Sequence, residues 1–536
     1  MKKRGIKLSD GIFHEQDHIE FSRRRFIKSF GLAGGMGFMM GKLPVRTSSF
    51  SKWFLPPNLE LADRVLILVR LKGGNDGINT IIPLNYLTEY HNLRPQLGYR
   101  DNAMIQLDDK HAMSPDMELL KPLWDDGMMK VINGVGYPEQ NYSHFRSADI
   151  WASASDSETI VDSGWIARYG EEIYPDYTLH PPTDPPAIQI GGASSLLFTG
   201  ENNSKVGFEA FSADQLLDIV ANGTVHDINN IPDCYFGDQL KYIRILTNNT
   251  YIFVDRITTS YKAGPETTIQ YDDNQFSESL KSIVRLIKGG LKTKIYVIEL
   301  DGFDTHANQL TDHPDLLRTF SKGISDFYKD FEGSEYEDKV LTITFSEFGR
   351  RAHENDGPGT DHGSANVMLA FGKGLKGNGT VGEYPSLAEL DDYENLIFTT
   401  DFRRVYSTLL TEWLCLPDPG DDRVLLGDHG APLDLGFDCI ETSSVARPET
   451  VNPYRHSAVY HDGNIYINYS LPVNSLVMIE IISADGKAFI AQRPMQKSSG
   501  EYTLTYHARE RGLKPGAYFY RIRITGRDLN GNLIIY

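Results

Sequence analysis

Lys294-Ile295-Tyr296-Val297-Ile298-Glu299-Leu300 runs without a break into Asp301-Gly302-Phe303-Asp304-Thr305-His306. A short apolar, β-branched run that ends in a glycine-containing acidic loop is the pattern of a strand buried on both faces. Its carboxyl end is then where an open sheet places a ligand. The pattern recurs. Val65-Leu66-Ile67-Leu68-Val69 precedes Lys72-Gly73-Gly74-Asn75-Asp76-Gly77, and Val340-Leu341-Thr342-Ile343-Thr344-Phe345 precedes Ser346-Glu347-Phe348-Gly349-Arg350-Arg351. Gly359-Thr360-Asp361-His362-Gly363 stands just before the run Asn366-Val367-Met368-Leu369-Ala370-Phe371. Helical patterns at 277–289, 316–331 and 402–414 lie between or beyond these runs. The alternation predicts an α/β fold with a mostly parallel sheet flanked by helices. Residues of about 195–275 are rich in Asn, Asp and Thr with weaker periodicity, and read as an insertion or cap.

Outward from this body, the organisation is tripartite. The chain has 536 residues, enough for a large core and an accessory module. Residues 1–50 read as targeting sequence, 60–438 as the body and 450–536 as a second module, after a polar linker at 441–449. In the second module, short strand patterns at 465–469, 476–481, 502–506 and 517–522 are divided by Ala484-Asp485-Gly486 and Lys514-Pro515-Gly516. That spacing predicts a small β-sandwich.

Composition narrows the classes of function. Hydrophobic residues at 40% and aromatics at 11% are those of a folded protein. A formal net charge of −19 argues against nucleic acid or an anionic membrane as the main partner. Cys234, Cys415 and Cys439 allow at most one disulfide and no cysteine-rich metal site. Near the start, Ser22-Arg23-Arg24-Arg25-Phe26-Ile27-Lys28 fits a twin-arginine export consensus, and a Gly- and Met-rich apolar stretch at 29–41 follows it. That stretch is shorter than the ~18–20 apolar residues a bilayer span needs, and no later segment reaches that length. The expectation is an exported chain with no transmembrane segment in its mature form.

The chemistry is expected at the strand ends. Two carboxylates and an imidazole within Asp301, Asp304 and His306 suit a divalent ion, although Asp304 could instead cap the following helix. Glu347 directly after a buried strand is costly unless ligated or paired with Arg350 or Arg351. Asp361 and His362, flanked by glycines at a strand entrance, read as site residues, with a lone surface histidine as the bland alternative. Asp76 is a candidate ligand or simply a turn residue. Taken together these residues predict a metal-dependent hydrolase, the ion being zinc, calcium, magnesium or manganese.

The motifs Gly73-Gly74-Asn75-Asp76-Gly77, Asn141-Tyr142-Ser143-His144-Phe145, Ser163-Gly164-Trp165, Phe303-Asp304-Thr305-His306, Ser346-Glu347-Phe348-Gly349-Arg350, Gly359-Thr360-Asp361-His362-Gly363 and Asp401-Phe402-Arg403-Arg404-Val405-Tyr406 occur in this order. Over about residues 60–420 they resemble the sulfatase-like proteins called domain of unknown function 1501. The resemblance implies an alkaline-phosphatase-like fold with metal ligands at Asp76, His362, and Asp301 or Asp304 with His306; Glu347 and Asp361 join the candidate ligands from their own places at the strand ends. It also implies a hydrolase of phosphate or sulfate esters, with an anionic ester as substrate. Glu347-Phe348 stands where that superfamily has Asp-His, so one ligand is lost. Ser143 falls where a nucleophile is expected, and Arg350 or Arg351 could clamp the oxyanion. The departures leave a second expectation, a non-catalytic binding or scaffolding protein at the cell surface. The C-terminal module, through Asn452-Pro453-Tyr454, Asp485-Gly486-Lys487 and the stretch 513–520, resembles type IX secretion sorting domains. This implies the twin-arginine and type IX export machineries as partners, with the periplasm as a waypoint and the cell surface or medium as the destination.

Overall fold

A computed structural model describes residues 63–437 except 175–176, 178–181, 193–194, 201–204, 211–252, 376 and 417–419. It also describes Cys439 and residues 456–535 except 462, 472–474, 484–486, 510 and 525–526. The twin-arginine motif, the apolar stretch after it, the linker, Asn452-Pro453-Tyr454 and the Ala484-Asp485-Gly486 turn lie outside the described residues. The chain divides into two compact units, one within residues 56–440 and one within residues 441–536.

The larger unit is built on a nine-stranded sheet. Its strands are β1 (Val65–Lys72), β2 (Met129–Gly136), β3 (Ala187–Ile190), β4 (Phe208–Ala210), β5 (Ile295–Asp301) and β6 (Val340–Phe345). A two-stranded hairpin, β7 (Gly349–Arg350) with β8 (His362–Gly363), intervenes before β9 (Asn366–Phe371), β10 (Gly379–Val381) and β11 (Thr400–Asp401) complete the sheet. The order is β10-β2-β9-β6-β1-β5-β3-β4, with β11 also pairing with β2. Every pairing is parallel except those of β9, which runs antiparallel to both β2 and β6.

Alternate residues of β1 enter two different cores. Ile67, Val69 and Leu71 pack into one with α4 (Gln275–Lys288) and α5 (Gln309–Phe331), through Phe276, Leu280, Leu317, Phe320 and Ile324. Leu66 and Leu68 pack into the other with α2 (His144–Ser153), α3 (Trp165–Ile173) and α6 (Phe402–Thr408), through Trp151, Trp165, Phe402 and Val405. The short helix α1 (Gly77–Thr80) follows β1 directly. The result is helices on both faces of the sheet, which is why β1, β6 and β9 read as unbroken apolar runs rather than alternating ones. The body is therefore the mixed α/β fold with a mostly parallel sheet that the runs predict.

Several elements differ from the sequence expectation for identifiable reasons. β2 was not apparent because Asn133 and Gly134 interrupt its apolar run, and Gly134 takes a φ of +59°. Phe208–Ala210, assigned by composition to an insertion, is the edge strand of the main sheet, paired with β3. The last helical pattern ends early as an α-helix, continuing through Leu409–Trp413 as a π-turn. Cys415 and Cys439 form a disulfide.

The smaller unit contains a three-stranded antiparallel sheet, β12 (His456–His461), β13 (Asn464–Leu471) and β16 (Gly500–Tyr506). A second, four-stranded sheet comprises β14 (Ser475–Ser483), β15 (Ala488–Lys497), β17 (Gly516–Ile524) and β18 (Arg527–Ile535). Ile465, Ile467, Val477, Ile479, Ile481, Tyr520 and Ile522 from both sheets share one core. No helix among the described residues is long and apolar enough to cross a membrane.

Candidate metal centre

The carboxyl ends of β1, β5 and β6 lie side by side because these strands are neighbours and parallel. Two glycines let the loops beyond them close up. Gly73 has a φ of +120°, and a Cβ there would lie 2.3 Å from the backbone N of Asp304. A Cβ on Gly359 would lie 2.3 Å from the carbonyl oxygen of His306. The β7–β8 hairpin then sets Arg350 opposite His362.

Asp304 is the focus of the site. Its Oδ1 lies 3.2 Å from His306 Nε2 and 3.2 Å from His362 Nε2, and those two nitrogens are 2.9 Å apart. Its Oδ2 lies 3.5 Å from His144 Nε2. On each imidazole the other nitrogen meets an acceptor. His306 Nδ1 is 3.2 Å from Asp361 Oδ1, His362 Nδ1 is 2.9 Å from the carbonyl of Tyr142, and His144 Nδ1 is 3.1 Å from Glu347 Oε1. With each Nδ1–H donated outward, the Nε2 lone pairs converge on one another and on a carboxylate. Such an arrangement is repulsive unless a proton or a metal cation lies between them.

Bound divalent ions have these requirements. Tetrahedral ligands at ~2.0–2.1 Å from zinc stand about 3.3 Å apart, and metal-bound histidines donate their second nitrogen to a carboxylate or carbonyl. The Asp304–His306–His362 triangle meets both conditions, so the residues present fit a metal ion. His144, Asp304 and His362 also offer ligand atoms all within 4.8 Å of one another.

The electrostatics follow the contacts. Burial raises the Asp304 pKa, but the Arg350 hydrogen bond and the contact with His362 outweigh it and the net shift is downward. Glu347 is 1% exposed. Burial pushes its carboxyl up, and the His144 hydrogen bond and the Arg70 charge bring it below its ordinary value. The Glu347 hydrogen bond raises His144 against its burial. Burial and the Arg350 charge lower His362, whereas the hydrogen bond from Asn355 leads the lowering of Asp361.

The expected site residues therefore fall into distinct places. Asp304, His306 and His362 come together as donors. Asp361 and Glu347 stand behind imidazoles, as acceptors for His306 and His144, rather than among the donors. Glu347 Oε1 also accepts from the Gly73 amide at 3.0 Å and from Arg70 at 3.4 Å. Asp301 is exposed and bonded to Lys72 at 2.6 Å. Asp76 is fully buried, and its carboxylate is held by Arg94, by the Gln309 amide and by the Asn79 backbone N–H at 3.3 Å.

Arg350 was expected to clamp an oxyanion, but its guanidinium is buried and committed. It donates to the carbonyls of Gly74 (2.6 Å), Thr360 (2.7 Å), Phe303 (2.9 Å) and Gly73, and to Asp304 Oδ1 at 2.8 Å. Arg351 instead forms no side-chain hydrogen bond or ion pair among the described residues, and its Nε lacks a partner. Ser143 caps α2 by position but makes no side-chain cap bond. His144 is the residue that motif reasoning passed over. Its only sequence signal is its place beside Ser143, because Asn133 and Gly134 interrupt the apolar run of the strand before it, β2.

Comparison with known proteins adds the following. No curated protein matches the chain. Similar solved structures include a protein in the alkaline phosphatase superfamily from Vibrio parahaemolyticus, 10% identical, covering 81% of each chain with a TM-score of 0.29. The PsFucS1 sulfatase from Pseudoalteromonas sp. is 11% identical, covering 83% of this chain and 84% of that one with a TM-score of 0.32. The lipoteichoic acid synthase LtaP from Listeria monocytogenes is 8% identical, covering 80% and 87% with a TM-score of 0.29. The family model described as protein of unknown function (DUF1501) matches residues 273–409, the stretch that carries Asp304, His306, Glu347, Arg350, Asp361 and His362.

Proposed function

We propose that this chain is an exported, metal-dependent hydrolase of phosphate or sulfate esters. The observation that carries the reading is the triangle of Asp304 Oδ1, His306 Nε2 and His362 Nε2, with edges of 2.9–3.2 Å. A divalent ion held there supplies Lewis-acid polarisation of an ester oxygen. Arg350 fixes Asp304 in register, and Asp361 and the Tyr142 carbonyl fix the two imidazoles. Arg351, whose charge bears on Asp361 and Tyr142, is the guanidinium left to meet an anion. Ser143 is exposed at the start of α2, beside His144.

Turnover of phosphate monoesters, phosphate diesters and sulfate esters by the metal-loaded protein tests this reading. Activity is expected to vanish in His362→Ala and to fall in Arg351→Ala. Turnover unchanged by His362→Ala sinks the metal-centre reading. Activity that survives Ser143→Ala removes that hydroxyl as nucleophile.

One observation favours a second reading, a surface protein that binds such anions without cleaving them. No base lies within hydrogen-bonding reach of the Ser143 hydroxyl among the described residues, since both nitrogens of His144 face elsewhere. Stoichiometric metal with no turnover across the panel would decide for binding.

Export rests on the twin-arginine motif and is supported by the Cys415–Cys439 disulfide, a bond that persists in oxidising compartments. The type IX machinery and a surface destination rest on the C-terminal motifs. Replacing Arg23 and Arg24 by Lys is expected to hold the protein in the cytoplasm, and deleting residues 450–536 to hold it in the periplasm. Cell fractionation reads both.

A further inference from the structure

His144 is the one imidazole at the site that comes from outside the loops of β5, β7 and β8, being the first residue of α2. Its ring is nonetheless part of the cluster, 4.5 Å from that of His362 in an edge-on contact and 4.9 Å from that of Phe348. Glu347 takes its Nδ1 at 3.1 Å, and Glu347 is itself anchored by the Gly73 amide and Arg70. A buried carboxylate therefore dictates which nitrogen faces the site. Its Nε2 is directed at Asp304 Oδ2, 3.5 Å away. With the ring neutral, that lone pair faces a carboxylate lone pair, and a metal cation can take the place a proton would otherwise fill between them.

We propose that His144 is the fourth donor of the metal centre. The resulting set of three imidazoles and one carboxylate selects a borderline transition ion of the zinc class over calcium or magnesium. The inference rests on the metal-centre reading and deepens it. Imidazole nitrogens suit zinc, copper, iron and nickel, whereas calcium and magnesium demand mostly oxygen donors. Glu347 acts here as a positioning residue, holding the ring that ligates. The His144 contact is the longest in the set and reaches the other carboxylate oxygen.

The test is calorimetric titration of the chelator-treated full chain with zinc, calcium and magnesium, plus visible spectra of the cobalt-loaded form. Zinc is expected to bind once per chain and at least about 100-fold more tightly than either alkaline-earth ion. His144→Ala is expected to weaken zinc about 100-fold and to change the cobalt bands, which report donor number. Glu347→Gln is expected to weaken zinc about 10- to 100-fold at unchanged stoichiometry. Circular dichroism of the metal-free variants checks folding, with His144→Gln as the second variant if Ala disturbs α2.

Zinc affinity and cobalt bands unchanged in a folded His144 variant, while His306→Ala and His362→Ala abolish binding, would overturn the proposal and leave the metal centre standing. Calcium or magnesium binding as tightly as zinc would also overturn it. A wild-type chain that takes up no divalent ion would remove the metal centre itself.

Discussion

Asp76 and Asp304 each follow a strand of the main sheet, and each accepts a hydrogen bond from a buried arginine, Arg94 in one case and Arg350 in the other. Around Asp76 everything is enclosed. Its carboxylate is 0% exposed and filled by Arg94, Gln309 and the Asn79 amide, and the nearby His313 gives its Nε2 to Asn75 at 3.0 Å. Around Asp304 the carboxylate side chain is 49% exposed, and three histidine nitrogens point at it rather than away. The same residue types thus make a structural knot in one place and a receptive site in the other. What separates them is whether the acid's remaining lone pairs are already used.

That contrast can be broken in four ways. The largest effect is expected from Arg94→Ala, which strands the Asp76 carboxylate in the core. A loss of about 3–5 kcal/mol in denaturant unfolding is expected, with no specific effect on metal uptake. A loss below about 1 kcal/mol would show the knot to be dispensable.

Next comes pH. Burial pushes the His313 imidazole down to about 4, so the folded chain holds it neutral while the unfolded chain protonates it near 6.5. The stability from the neutral ring is complete above pH 6.5 and is lost as pH falls towards 4. His313→Gln is expected to flatten that part of the stability profile by about 3 kcal/mol. A mutant profile parallel to wild type would contradict it.

Asp361→Asn removes the charge behind His306 and is expected to weaken zinc about 10-fold in calorimetry, with unfolding unchanged. Asp304→Asn is expected to change the stability of the metal-free chain least, by less than about 1 kcal/mol, because the group is half exposed. The same variant should take up no metal. If it unfolded as readily as Arg94→Ala, the distinction between the two acids would fail.

Much of this was legible in residue order. The strands 65–69, 340–345 and 366–371 announced themselves because burial on both faces leaves a continuous apolar run, and the acids at their ends followed. Asp304, His306 and His362 were therefore identifiable as donors before any contact was known. The division of labour among the acids was not. Whether Asp76 ligates or pairs depends on Arg94, 18 residues on, and Gln309, 233 residues on, which reach it from other elements. Glu347 showed only that a buried charge needs a partner, and the partner, His144, comes from the segment after β2, two strands away in the sheet. The reversed direction of β9 was likewise invisible, since apolar runs carry no polarity.

The committed guanidinium of Arg350 has one more consequence. Its donors reach the segments at 73–74, 303–304 and 360, so one side chain ties three loops into a single rigid frame. Their conformational entropy is surrendered when the chain folds, not when a ligand arrives. Association at this centre should then proceed by docking into a finished receptacle, with backbone positions alike in the free and the occupied protein.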